Sequence, residues 1–297
     1  MQTINDKDSG SPGKPRRKWP RWVKIGLLLY CVVGVVLYYT QDSIFFHPVV
    51  VDRNTPYDFG DQVYTEVNLP YDRTTNLNII QFKAGGSGAT VKAPGVEDSS
   101  RAPRGVVLYF HGNKRNIGRY APYATDFTRW GYEVWMLDYP GFGKSTGVFN
   151  EARLYEYALT VYRLARTRFQ PSRIILYGKS LGTGIAAQLA DVRDCRRLIL
   201  ESPYYSLESV AGHYLPIYPW GRLLHYHFPT WSHLPSVTAP VTIFEGSDDW
   251  TTPYSNSLRL KPLLKAGDEF VTIPGGGHND LHDFPLFRDK LDSLLRQ

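Results

Sequence analysis

Ser180, His278 and the adjacent carboxylates Asp248 and Asp249 are the side chains whose types could together break an acyl bond. A serine hydroxyl is a weak nucleophile at neutral pH. It needs an imidazole to take its proton, and the imidazole needs a carboxylate that fixes its tautomer and stabilises the imidazolium. Ser180 lies in Gly178-Lys179-Ser180-Leu181-Gly182, after the β-branched run Arg173-Ile174-Ile175-Leu176-Tyr177 and before a small-residue helix pattern, Gly182 to Ala190. Strand, tight turn and helix are the context of a nucleophile elbow, whose crowded backbone only glycine neighbours tolerate. A Gly-rich turn with an exposed serine would show the same five residues, so the partners decide.

Those partners follow downstream. Pro240 to Glu245 reads as a buried strand and ends in the polar turn Gly246-Ser247-Asp248-Asp249-Trp250-Thr251-Thr252-Pro253. A second strand, Phe270 to Ile273, ends in Gly275-Gly276-Gly277-His278-Asn279-Asp280. The chain order Ser, Asp, His is that of an α/β-hydrolase and not that of chymotrypsin or subtilisin. Each candidate lies just past the C-terminal end of an expected strand, where sites form in open parallel sheets. At this point either aspartate could serve as the acid.

His111 competes for the role of base, because it directly follows the apolar strand Val106 to Phe110. It reads better as part of His111-Gly112-Asn113, the loop that supplies a second oxyanion-hole amide. Acyl transfer needs two N–H donors aimed at the developing oxyanion. The expected donors are the backbone amides of Asn113 and Leu181, with the His111 side chain holding its loop by a local hydrogen bond.

Strands and helices must alternate to place these loops on one edge. The pattern gives a strand at Val106 to Phe110, a helix near Tyr123 to Trp130, a strand at Glu133 to Leu137, a helix at Glu151 to Arg168 and a strand at Ile174 to Tyr177. A mainly parallel sheet covered by helices is expected. A hydrophobic content of 42% is ample for its core, and the stretch from Gln41 to Gln297 suits a single domain.

Several segments resemble successive blocks of the membrane-anchored α/β-hydrolase-domain serine hydrolases. They are Leu108-Tyr109-Phe110-His111-Gly112-Asn113, Leu137-Asp138-Tyr139-Pro140-Gly141-Phe142-Gly143-Lys144-Ser145, Gly178 to Gly182, Glu201-Ser202-Pro203-Tyr204 and Gly277-His278-Asn279-Asp280. The resemblance runs from about Gln41 to the C-terminus and includes Gln41-Asp42-Ser43-Ile44-Phe45-Phe46-His47-Pro48. It implies an α/β-hydrolase fold, and the family pattern G-x-x-D-x-x-x-P maps onto Gly246, Asp249 and Pro253. The resemblance therefore prefers Asp249 to Asp248. Animal members include protein depalmitoylases and lysophospholipid lipases. The former usually carry an N-terminal cysteine cluster, which this chain lacks.

The N-terminus carries a different signal. Ile25 to Tyr39 is an uncharged apolar run of 15 residues, flanked by Trp22 and ending in Tyr38-Tyr39, as interfacial aromatics would be. No A-x-A site follows it, so an uncleaved transmembrane anchor over residues 25–40 is expected rather than a signal peptide or a core helix. Met1 to Lys24 holds seven Lys or Arg against two acidic residues, so the tail, residues 1–24, is expected to stay cytoplasmic. The catalytic domain, residues 41–297, would then face a periplasm, a lumen or the exterior. Of the formal net charge of +6, that tail carries five, which leaves no basic field for nucleic acid on the rest.

Cys31 lies in the apolar run and Cys195 stands alone, so neither an internal disulfide nor a cysteine metal site is expected in the domain. No H-E-x-x-H and no phosphate-loop motif is present, and no cofactor is expected. Ala84 to Gly105, rich in Gly, Ser, Ala and Pro, reads as a surface excursion. Residues 204–235 form an aromatic-rich insert, with Tyr204, Tyr214, Trp220, Tyr226, Phe228 and Trp231 among its rings, expected to cap Ser180. Those rings suit ordinary packing, an acyl pocket or a surface resting on a bilayer.

The expected protein is thus an anchored serine hydrolase acting on small ester or lipid-like substrates, with Ser180, His278 and Asp249 as triad and the amides of Asn113 and Leu181 as oxyanion hole. An amidase, peptidase or thioesterase would use the same machinery, and a catalytically silent binding protein could keep the fold. Acyl-chain length and oligomeric state are not encoded in these motifs.

Overall fold

Runs of β-branched and aromatic residues bounded by Gly, Pro and Asp set the strands of this chain. The computed structural model describes residues 19–85 and 102–297; most of the basic tail and most of the Gly/Ser-rich excursion lie outside the described residues. Eight strands form one sheet: β1 (Tyr64–Pro70), β2 (Asn76–Phe82), β3 (Gly105–Phe110), β4 (Tyr132–Leu137), β5 (Ile174–Lys179), β6 (Arg197–Glu201), β7 (Val241–Gly246) and β8 (Glu269–Ile273). Their spatial order is β8-β7-β6-β5-β3-β4-β2-β1. The pairs β1–β2 and β2–β4 are antiparallel and every other pair is parallel, giving the mainly parallel sheet expected.

Parallel strands need crossovers, and helices supply them. The longer ones are α1 (Arg21–Phe45), α2 (Glu151–Arg166), α3 (Leu181–Val192), α4 (Leu207–Tyr214) and α5 (Pro285–Arg296). The start of α2 is fixed by Asn150, whose side chain accepts from the Arg153 amide. The helix expected over Tyr123–Trp130 is instead a chain of short turns. Pro122 favours the 3₁₀ turn Ala121–Ala124, and Gly131, at φ 82°, ends the segment after Thr125–Thr128.

The core follows the period-two alternation of the strands. Val107 and Tyr109 of β3, Ile175 and Tyr177 of β5 and Ile199 of β6 face one layer, where Phe287, Leu291 and Leu294 of α5 cover them. Tyr109 and Tyr177 stack there with centroids 4.8 Å apart. The intervening residues Leu108, Leu176 and Leu198 are also fully buried, and α3, with Ile185, Ala186 and Leu189 buried, packs on β5 and β6.

The chain divides into two units, Met1–Thr40 and Gln41–Gln297. In the first, the helix that holds the apolar run starts earlier than its composition marks, because Arg21 and Lys24 already belong to α1. At 25 residues, with an 18-residue window of mean hydropathy 1.9, α1 is long and apolar enough to cross a membrane. In the second unit Gln41 is buried: its side-chain amide donates to the Leu223 carbonyl at 3.1 Å and accepts from the His225 amide at 2.7 Å.

Candidate active site

The elbow begins where β5 ends. Ser180 takes φ 50° and ψ −118°, a left-handed conformation that side chains rarely adopt, and α3 starts at the next residue. Close approach explains the glycines around it. A Cβ on Gly178 would come within 2.5 Å of the Gly182 carbonyl oxygen, and one on Gly182 within 1.9 Å of the Phe110 carbonyl oxygen. The turn is further fixed by the Ser180 amide, which donates to the Glu201 carbonyl at 2.9 Å, and by Thr183, whose amide and hydroxyl both donate to the Ser180 carbonyl.

His278 reaches this serine from the loop after β8. Its Nε2 lies 2.9 Å from Ser180 Oγ and its Nδ1 lies 2.6 Å from Asp249 Oδ2. The two loops that carry acid and base touch through a glycine, since a Cβ on Gly246 would fall 2.2 Å from the Gly276 carbonyl oxygen. The Asp248 amide also donates to that carbonyl, at 2.9 Å, and Gly277 donates to the Asp280 carboxylate at 2.7 Å. Asp248 points its side chain to solvent, where the Ser247 hydroxyl donates to it at 2.7 Å. Ser180, His278 and Asp249 are thus in one hydrogen-bonded row, and Asp248 is outside it.

Asp249 is buried, and burial alone would push its carboxyl pKa up. The hydrogen bond and charge of His278, with the amides of Thr252 and Thr251, outweigh that and hold it below its ordinary value. Those amides reach Oδ1 at 2.9 and 2.7 Å. The ionised carboxylate is then the acceptor that keeps the His278 proton on Nδ1, leaving Nε2 free to take the serine proton.

The His111 loop lies against the serine. A Cβ on Gly112 would sit 3.5 Å from Ser180 Cβ. His111 itself is fully buried between the rings of Tyr120 and Tyr139, with Nδ1 2.7 Å from the Gly112 carbonyl and Nε2 3.4 Å from Asp138. It therefore braces the loop and does not face Ser180. Asn113 is tied down through its other groups, its side chain donating to the Phe45 carbonyl and its carbonyl accepting from His47 at 2.9 Å. Among the described residues, the backbone amides of Asn113 and Leu181 have no acceptor within the chain, as oxyanion donors require.

A buried charge network behind the elbow is absent from the motif reading. Lys179 pairs with Glu201, which also accepts from the Tyr177 hydroxyl, and His282 bridges Glu201 at 3.2 Å and Asp126 at 2.8 Å. Lys179 Nζ and Ser202 Oγ both point at the His278 carbonyl, each 3.4 Å away. The available signal was a charged residue closing each of two apolar strands, β5 and β6. Among the described residues, no group of His, Cys, Asp and Glu side chains could hold a metal ion.

Most rings of the 204–235 insert are packing. Phe228, Tyr204, Tyr226 and Trp220 are buried, and Phe228 and Tyr204 rest on the first turn of α3, where a Cβ on Gly184 would come within 3.0 Å of each. Trp231 is 41% exposed and stacks on Tyr205 at 5.6 Å. A cleft lined by Tyr162, Arg166, Asp191 and Arg193 does not include Ser180.

A family model described as serine aminopeptidase, S33, matches residues 101–233. The α/β-hydrolase domain-containing protein 17C of Xenopus tropicalis is 30% identical over 201 residues, covering 66% of this chain and 63% of that protein. An uncharacterized protein of Mycobacterium tuberculosis is 34% identical over 177 residues, covering 59% of this chain and 63% of that protein. The match thus spans less than two thirds of these relatives' length. An esterase of Pyrococcus furiosus shares the fold with a TM-score of 0.63 at 17% identity, covering 85% of this chain and 97% of that chain. A cold-adapted esterase from an Arctic intertidal metagenomic library gives 0.58 at 16% identity, with 83% and 98% covered.

Proposed function

We propose that this chain, which has the α/β-hydrolase fold and is similar to α/β-hydrolase-domain proteins, is a membrane-anchored serine hydrolase that cleaves carboxylic esters through an acyl-enzyme. The observation that carries this reading is the row Ser180 Oγ, His278 Nε2, His278 Nδ1, Asp249 Oδ2, with steps of 2.9 and 2.6 Å. Ser180 attacks the ester carbonyl carbon and gives its proton to His278 Nε2, while the carbonyl oxygen becomes an oxyanion held by the amides of Asn113 and Leu181. Collapse expels the alcohol, which takes that proton. A water then enters by the reverse sequence and releases the acid.

Residues 25–40 of α1 serve as the anchor in this reading, the cap being residues 204–235 of the catalytic domain 41–297. The length and hydropathy of α1 support the span, and the basic residues ahead of Ile25 support a cytoplasmic N-terminus. An apolar or lipid-like acyl ester suits an enzyme held at a bilayer. A peptidase or amidase reading draws on the aminopeptidase description of the matching family model, and a thioesterase would share the same groups.

A fluorophosphonate probe and a panel of p-nitrophenyl esters, lysophospholipids, thioesters and aminoacyl anilides test the reading together. Labelling at Ser180, lost in Ser180→Ala along with ester turnover, is the expected result. Full ester hydrolysis by that variant would overturn it, and turnover of anilides alone would favour the peptidase. A reporter fused after Gln297 should be active only outside the cytoplasm; activity inside would reverse the topology.

A further inference from the structure

Position 252 is an unspecified residue in the G-x-x-D-x-x-x-P pattern, yet the Thr252 hydroxyl meets both partners of the acid–base pair. Its Oγ1 lies 3.0 Å from Asp249 Oδ2, 3.2 Å from His278 Nδ1 and 3.4 Å from the Ser202 carbonyl. Thr252 is buried, so no bulk water competes for these contacts. On the triad reading, we propose that Thr252 is a positioning residue whose hydroxyl orients Asp249 and sets how tightly His278 holds its proton.

The single hydroxyl proton can go to only one acceptor. His278 Nδ1 is ruled out, because its proton already points at Asp249 Oδ2 over 2.6 Å and leaves no lone pair there. Of the two remaining acceptors the carboxylate is nearer and charged, so it takes the proton. Asp249 then has a full set of donors: the Thr251 and Thr252 amides on Oδ1, the imidazole and the Thr252 hydroxyl on Oδ2. This set fixes the carboxylate plane with Oδ2 towards His278. It also draws electron density from Oδ2, which weakens the hold of the carboxylate on the imidazole proton. Thr252 keeps its own proton throughout; the proton that moves in catalysis passes between Ser180 Oγ and His278 Nε2.

Other titratable groups face this pair from several sides. Glu245 at the end of β7 and Tyr214 at the end of α4 both feel the charge of Asp249, and Lys179 of β5 points at the His278 carbonyl. Burial and the neighbouring Asp249 charge push the Glu245 carboxyl up, so it stands beside the pair as a neutral acid, and the hydrogen bonds seen on Asp249 Oδ2 come from Thr252 and His278.

Thr252→Val removes the hydroxyl at constant shape, and Thr252→Ser restores it. In the full-length protein in detergent, Thr252→Val should lower kcat roughly 10- to 100-fold with KM unchanged, the range expected when a buried charged acceptor loses a donor. The acid limb of its kcat/KM profile should move to higher pH. Thr252→Ser should recover kcat to within about threefold. If Thr252→Ser is as impaired as Thr252→Val, the methyl group and not the hydroxyl matters and the proposal fails. Wild-type kcat and an unmoved limb in Thr252→Val would also overturn it. A substrate-free reading covers poor folding or absent turnover: the downfield Nδ1 proton resonance of His278 should titrate at higher pH in Thr252→Val, or in Thr252→Ala if valine is not tolerated. An unshifted titration overturns the proposal, whereas loss of fluorophosphonate labelling in the wild type would overturn only the hydrolase reading.

Discussion

Lys179 and Glu201 are register partners at the ends of β5 and β6, and they form an ion pair in which the two side chains are 2% and 0% exposed. The residue just before the elbow serine is thereby bound to the neighbouring strand. Glu201 also carries Tyr177 and His282, so its charge compensates three donors. Burial would push its carboxyl pKa up, but Lys179 and His282 hold it far below the ordinary carboxylate range. Removing one member of such a pair strands the other. Glu201→Gln or Lys179→Met should cost about 3–5 kcal/mol. A calorimetric scan should show the melting temperature falling by roughly 10 °C, and a change below a degree would mean that the pair is not holding the elbow.

The same network makes stability depend on alkaline pH. Burial pushes the His282 imidazole down, but the charge of Glu201 and hydrogen bonds to Asp126 and Glu201 win and raise it to about 9. A histidine raised in the folded state contributes stability that is fully present below the unfolded value of about 6.5 and is lost as pH rises through the folded value. The contribution is of the order of 3 kcal/mol. Unfolding in urea at a series of pH values should show wild-type stability declining between about pH 6.5 and 9. His282→Gln should be less stable at pH 6 and nearly flat over that window; a parallel decline in the variant would place the titration elsewhere.

The two aspartates after β7 offer a sharp comparison. Asp249 holds His278 and accepts from two amides, whereas Asp248 is exposed and accepts from the Ser247 hydroxyl. Asp249→Asn should lower kcat by about 10⁴-fold with the fold intact, because an amide at this position favours the wrong tautomer. Asp248→Asn should leave kcat within about twofold, as an exposed carboxylate outside the row should. Steady-state kinetics on one ester decide it, and the opposite pattern would exchange the roles.

The parts of the site legible in the sequence are those fixed by backbone crowding. Gly178, Gly182 and Gly246 are required where a Cβ would fall within 2.5 Å of a backbone carbonyl oxygen, and a Cβ on Gly276 would meet the Leu281 side chain at 2.7 Å, so these glycines bracket Ser180, Asp249 and His278 as short motifs. Local patterning likewise placed β3, β4, β5, β7 and β8 within a residue or two of their ends, whereas β6 was not picked out. Lys179 and Glu201 were not legible as a pair, because their meeting depends on the register between β5 and β6, which no local pattern encodes. Thr252 was hidden for a related reason: its contact with His278 joins loops 26 residues apart. The aromatic insert showed its composition but not its allocation, since burial of Phe228 and exposure of Trp231 follow from how the short helices Trp220–Leu223 and Thr230–His233 turn.

Substrate length should register in that insert. Phe228 and Tyr204 are buried against the first turn of α3, so an acyl chain carried by Ser180 would have to find its apolar surface in the more exposed rings of the insert, Trp231 among them. Each fully buried methylene gains about 0.8 kcal/mol, and three extra carbons could raise kcat/KM tens of fold. Across C2 to C12 p-nitrophenyl esters, kcat/KM should rise beyond acetate and pass through a maximum. The two tryptophans should separate packing from binding. Trp220 is buried and donates to the Leu215 carbonyl at 2.7 Å, so Trp220→Ala should lower the melting temperature along with activity. Trp231 is partly exposed on Tyr205, so Trp231→Ala should keep the fold and flatten only the preference for longer chains. A steady fall from C2, the same in wild type and Trp231→Ala, would make this a small-acyl esterase and leave the insert rings as packing alone.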